Sequence, residues 1–84
     1  NAEYRGFNAA LLQRLSRHKD AIREFEAALS LAPRSGVWWM GLGLSLESDH
    51  RPVEAREAFQ RARATGALSA ELDGFVGQKL RQLQ

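Results

Sequence analysis

Residues 21–33, AIREFEAALSLAP, and residues 55–67, AREAFQRARATGA, decide the fold. Ala21, Phe25 and Ala28 return as Ala55, Phe59 and Ala62, each 34 residues later, so A-x-x-x-F-x-x-A is written twice in one register. Residues at i, i+4 and i+7 share one face of an α-helix, which makes each copy a helix with a small–aromatic–small seam. A fixed period of this length is the mark of a repeat architecture. The same shift relates Leu12, Leu46 and Leu80, and the small residues Ala9, Gly43 and Gly77. Phe7 and Phe75 stand two periods apart.

The flanking sequence completes five helices. Tyr4, Phe7, Leu11, Leu12 and Leu15 form one stripe over residues 2–15, and Ala21, Ile22, Phe25, Ala28 and Leu29 another over 19–31. Pro33, Ser35 and Gly36 end the second helix, with Ser35 placed to cap a third over 36–47. Pro52 opens a fourth, where a missing N–H costs nothing, and Glu54 lies in its first turn, where the helix dipole favours an anion. Gly66 ends it. Ser69 caps a fifth, which carries Leu72, Phe75, Val76, Leu80 and Leu83 on one stripe. No segment alternates as a strand does. The expected fold is all-α: repeat 1 over about 2–35, repeat 2 over about 36–69 and a capping helix over about 70–83, in one domain spanning 1–84.

Composition bounds the function. Eighty-four residues make one small domain, and its lack of cysteine removes disulfides and thiolate chemistry. The net charge of +2 is too small for a nucleic-acid binder; the high pI reflects ten arginines interspersed with acids. No apolar run approaches the ~18 residues of a membrane span. Asn1 in place of an initiator Met reads as a piece of a longer protein.

The period and residue types resemble the tetratricopeptide repeat (TPR), whose pattern is W-x-x-L-G-x-x-Y, then A-x-x-x-F, A and P. Trp39, Leu42, Gly43, Ala55, Phe59 and Ala62 match in the middle repeat, with Leu46 in the place of Tyr and Ala67 in that of Pro. Ala21, Phe25, Ala28 and Pro33 match in the first, where Arg5, Asn8 and Ala9 replace Trp, Leu and Gly, as in the degraded first helix of an array end. The resemblance implies a short α-solenoid of two hairpins and a cap. A narrower likeness, in Trp38 to Gly43 and in the closing stretch from Leu68 to Leu83, is to the C-terminal repeat region of bacterial type IV pilus biogenesis proteins of the mannose-sensitive haemagglutinin kind. It implies an N-terminal membrane anchor with repeats on the periplasmic side of the inner membrane; without it a cytoplasmic location is equally open.

In this family the first helix of each repeat lines a concave face. The resemblance places there Glu3, Gly6, Ala10, Gln13 and Arg14, then Val37, Met40, Leu44, Glu47 and Ser48, then Glu71, Gly74, Gln78, Arg81 and Gln82. Val37, Met40 and Leu44 would make an apolar floor, Gly6, Ala10 and Gly74 room beside it, and Gln13, Arg14, Glu47, Gln78 and Arg81 a polar end. Such a groove suits an apolar segment or helix of a partner. The Lys, Asn and Arg clamp of chaperone-tail binders is replaced by Gly6, Ala10, Leu44 and Gly74, which argues against that ligand.

The third helix is apolar nearly all round, which makes it a central helix buried on several sides or one with a side open to a ligand or second subunit. Trp39 takes the family's packing position, so Trp38 is left for a hairpin edge or an interface. Gly43 is expected to admit the facing helix closely. Catalytic signals are lacking. His18 and His50 fall in turns and read as solvated, Asp49 beside His50 has no apolar wall to shift a pKa, and Gly41-x-Gly43 is inside a helix with no strand before it. Arg56, Arg61 and Arg63 interleave with Glu54 and Glu57 as a solvated ion-paired face. The expected function is a non-catalytic scaffold for a protein or peptide partner, with no cofactor, metal or small-molecule substrate. The alternative is an assembly module that associates with a second copy or with the rest of its own chain.

Overall fold

In the computed structural model, which describes residues 1–84, five helices form: α1 Ala2–Arg14, α2 His18–Leu31, α3 Gly36–Ser48, α4 Pro52–Ala64 and α5 Ala70–Gln82. Their starts follow local chemistry. The Ser35 hydroxyl accepts from the Trp38 N–H at 3.3 Å and the Ser69 hydroxyl from the Leu72 N–H at 3.2 Å. Asn1, read from sequence only as a chain end, caps α1 by accepting the Tyr4 N–H at 2.8 Å. Pro52 opens α4, and Gly66 follows its end with φ +66°. No helix is long and apolar enough to cross a membrane.

The period reaches the hydrogen bonds of the turns. At the end of α1 the Ser16 N–H donates to Gln13 and the Arg17 N–H to Leu12; at the end of α3 the His50 N–H donates to Glu47 and the Arg51 N–H to Leu46. Both are the paired bonds of a left-handed helix cap, and Ser16 and His50 each take φ +60° to make them. These tight links fold α1 against α2 and α3 against α4 as hairpins, and the hairpins stack through α2 and α3, with α5 against α4.

Two aromatic rings lock the stack. Phe25 is 1% and Phe59 0% exposed, and Ala21, Ala28, Ala55 and Ala62 around them are wholly buried. Each ring lies over a glycine of α3. A Cβ on Gly43 would stand 2.7 Å from the Phe59 ring, and one on Gly41 only 2.5 Å from the Phe25 ring. The room at Gly43 is thus used by a side chain of the facing helix, not by closer approach of its backbone. Gly41, with no structural role assigned from sequence, joins the two hairpins. α3 is the central helix: Gly36, Gly41, Leu42, Gly43, Ser45 and Leu46 are buried.

One cluster changes character between the hairpins. In the second, Trp39, Leu42 and Ala58 belong to the apolar part of a cleft between α2 and α4 that Glu26, Glu54, Glu57 and Arg61 also line. The positions one period earlier are Arg5, Asn8 and Glu24. There the Arg5 guanidinium reaches Glu24 at 3.0 Å and the Asn8 amide at 2.9 Å. All three positions switch together, so the first hairpin has a polar clamp where the second has Trp39, Leu42 and Ala58.

Gly41→Ala is expected to destabilise by about 1–3 kcal/mol through overpacking, despite the better helix propensity of alanine. Gly74, with nothing within 4 Å of its would-be Cβ, is the control: Gly74→Ala should stabilise by up to about 1 kcal/mol. Urea titration of both variants checks the contrast. His50→Gly should stabilise by about 1 kcal/mol by relieving the left-handed backbone, read as a raised thermal midpoint.

Candidate partner-binding groove

The first helices of the hairpins and the last helix are tied together in sequence order. The Gln13 amide of α1 donates to the Gly41 carbonyl at 2.9 Å and to the Ser45 hydroxyl at 2.8 Å on α3. Lys79 of α5 reaches Glu47 of α3 at 2.9 Å. Ser45 is wholly buried, so the Gln13 bond satisfies a hydroxyl that would otherwise be costly inside the fold. Gln13 and Glu47 therefore hold helices to one another, and their capacity for a partner is already engaged.

The remaining groove residues divide by exposure. Val37 is exposed, and Met40 and Leu44 are half-buried against the core. Their spacing places them on one face of α3. Ala10 is half-buried, Gly74 faces open space, and Arg14, Gln78 and Arg81 are exposed. Gly6 is buried: a Cβ there would meet the Trp38 indole at 2.3 Å. The room Gly6 leaves is filled from within the chain.

Trp38 lies in the seam of the hairpins. Its indole meets Phe7 edge-on, ring centroids 5.6 Å apart, and lies 6.2 Å from Phe25. It is half-buried by these contacts with α1 and α2. Trp39 points to the other side of α3, where its indole N–H donates to the Pro33 carbonyl at 2.8 Å and the Arg61 guanidinium lies over its ring at 5.2 Å. An open cleft of about 290 Å³ between Glu26, Leu29, Ser30, Trp39 and Leu42 flanks it. That cleft has no signature in the sequence, because it forms only when α2 and α3 lie side by side.

Two expectations about charge are corrected. The arginines of α4 do not pair with Glu54 and Glu57 along their own helix. Arg61 covers Trp39, Arg63 reaches Asp73 of α5 at 3.1 Å, and Glu54 pairs with Arg51. Neighbouring helices offer these arginines an aromatic face and a carboxylate, which the spacing along α4 alone does not reveal. His18 is also not a solvated turn residue. Helix α2 starts on it, and its half-buried ring has an Nδ1 with no hydrogen-bond partner. His50 does lie exposed in its turn.

Asp49 belongs to an ionic bridge between the first turn of α2 and the turn after α3. Lys19 donates to it at 2.8 Å, and Arg51 stands 3.6 Å from its other oxygen. The Lys19 hydrogen bond, with the charges of Lys19 and Arg51, holds the Asp49 carboxyl below the usual carboxylate range. Asn8, followed by Arg5, does the same for Glu24, and Arg51 does so for Glu54. A carboxyl lowered in the fold contributes stability above its unfolded pKa and loses it as pH falls through the folded value. The urea midpoint should therefore stay level between about pH 7 and 5 and fall below about pH 4. Asp49→Asn should shrink that fall.

Comparison with protein-family models gives no match to this chain, and comparison with curated proteins gives none either.

Proposed function

We propose that the chain is a non-catalytic interaction module that takes an apolar, helical segment of a partner protein along α3, between α1 and α5. The observation that carries this reading is the row Val37, Met40 and Leu44. It sets three apolar side chains in line along the central helix, Val37 exposed and Met40 and Leu44 half-buried, on the side between α1 and α5. Met suits such a surface because its flexible thioether repacks around different ligands.

Once Gln13 and Glu47 are engaged within the fold, the free groups at the polar end of the groove are Arg14, Gln78 and Arg81, near the C-terminal ends of α1 and α5. Two of them are cations, so the reading extends to a partner segment with a carboxylate near the end that meets them. The likeness of the repeat to the tetratricopeptide family supports a peptide-binding role. The narrower likeness supports a place in bacterial pilus assembly, on the periplasmic side of an inner-membrane anchor.

Peptides selected from a phage-displayed random library on the immobilised chain are expected to carry spaced apolar residues and an acidic end. Met40→Glu should weaken them at least about tenfold, or ~1.4 kcal/mol, because a carboxylate is set against the apolar floor. Circular dichroism of the variant should be unchanged. Selected peptides that bind Met40→Glu as tightly as the parent chain would refute the groove reading.

A further inference from the structure

Tyr4, Phe7, Leu11 and Leu15 leave α1 as one open apolar stripe, exposed by 68%, 65%, 54% and 60%. Their spacing puts them on the face opposite the buried residues of α1. A row of large apolar side chains along a whole helix marks an interaction surface.

The 34-residue register tells what does not fit there. Phe7 and Leu11 correspond to Gly41 and Ser45, through which α3 meets the first hairpin. Another hairpin stacked on α1 in the same way would bring a phenylalanine ring onto Phe7, where α3 has the empty place of a glycine. It would also cover Arg5, Asn8 and Glu24, whose polar clamp stands where the second hairpin has Trp39, Leu42 and Ala58. Burying that clamp would strip water from charged groups at a cost of several kcal/mol. The stripe accepts a single helix laid along α1, without a second helix beside it.

Charge selects the helix. Glu3 and Arg14 border the stripe on the same flank, one near each end of α1, both exposed and neither in an ion pair within the chain. If a second α1 is laid antiparallel across a two-fold axis, Phe7 of each copy meets Leu11 of the other, and Tyr4 meets Leu15. The same operation brings Glu3 of each copy to Arg14 of the other. A parallel pair about a two-fold axis would carry this flank of the second copy to the far side of the seam and leave both residues without a partner. We propose that a second copy of this chain covers α1, forming an antiparallel α1–α1 pair closed at both ends by Glu3 and Arg14. Such an interface is self-complementary under two-fold symmetry. Thirteen residues of one helix bury less than the ~800 Å² per partner of a standard interface, so the dimer is weak and reversible.

Sedimentation equilibrium of the 84-residue chain up to millimolar concentration tests it. The expected result is a mass that rises from monomer to dimer and stops there. Leu11→Glu should remain monomeric throughout with an unchanged circular dichroism spectrum. Glu3→Arg or Arg14→Glu alone should weaken the dimer several-fold, and the two together should restore it. A monomer at all concentrations, a dimer that survives Leu11→Glu, or a double reversal no stronger than the single ones overturns the proposal. Met40→Glu should leave the association unchanged and Leu11→Glu should leave peptide binding unchanged, so the dimer and the apolar floor of the groove are tested separately.

Discussion

Two phenylalanine rings seated over two glycines hold this protein together. Phe59 lies over Gly43 within the second hairpin, and Phe25 lies over Gly41 across the boundary between hairpins. A ring is a large apolar payload, and in a chain this short a few such groups must supply most of the hydrophobic stabilisation. The glycines weaken α3 as a helix, each by up to about 1 kcal/mol relative to alanine. The rings they admit turn that loss into a packed seam. The fold is thus built around a helix that is locally poor and globally indispensable.

Around that seam the polar groups act as struts between elements. Gln13 ties α1 to α3, Lys79 ties α5 to α3, Lys19 ties the start of α2 to the turn after α3, and Arg63 ties α4 to α5. The exposed ion pairs are each worth little in water, a few tenths to about 1 kcal/mol. Their direction matters more than their strength: they run between elements, and so fix the angle at which helices already packed by their apolar seams come to rest. The same use of polar groups takes two residues from the polar end of the candidate groove and leaves Arg14, Gln78 and Arg81 there, beside an apolar floor.

The two ends of the stack are unlike. The α1 end carries a charged clamp on the side toward α2 and a bare apolar stripe on the other, so water and protein are expected on adjacent faces of one hairpin. The α5 end is milder. Val76 is buried, Phe75 is partly covered with Lys79 near its ring, and Gly74 faces open space. Phe75 occupies the place that Gly41 holds in α3, so α5 has no glycine seat there, while Val76 is buried as Leu42 is one period earlier.

The helices, their caps at Ser35 and Ser69, the proline start of α4 and the burial of Ala21, Phe25, Ala55 and Phe59 were legible in the sequence, because propensity, capping and a 34-residue period are local or repeating signals. Repetition made them more legible still, since an accident seldom occurs twice in one register. Several matters were decided only when helices came side by side. Gln13 is a free amide in the sequence and a half-buried strut in the fold. Gly6 looks like open room and is filled by Trp38. Arg61 and Arg63 look paired along α4 and reach outward to Trp39 and Asp73. In each case the nearest partner in space is far away in sequence, and a long side chain chooses its contact by distance through space, a quantity that one-dimensional spacing does not contain.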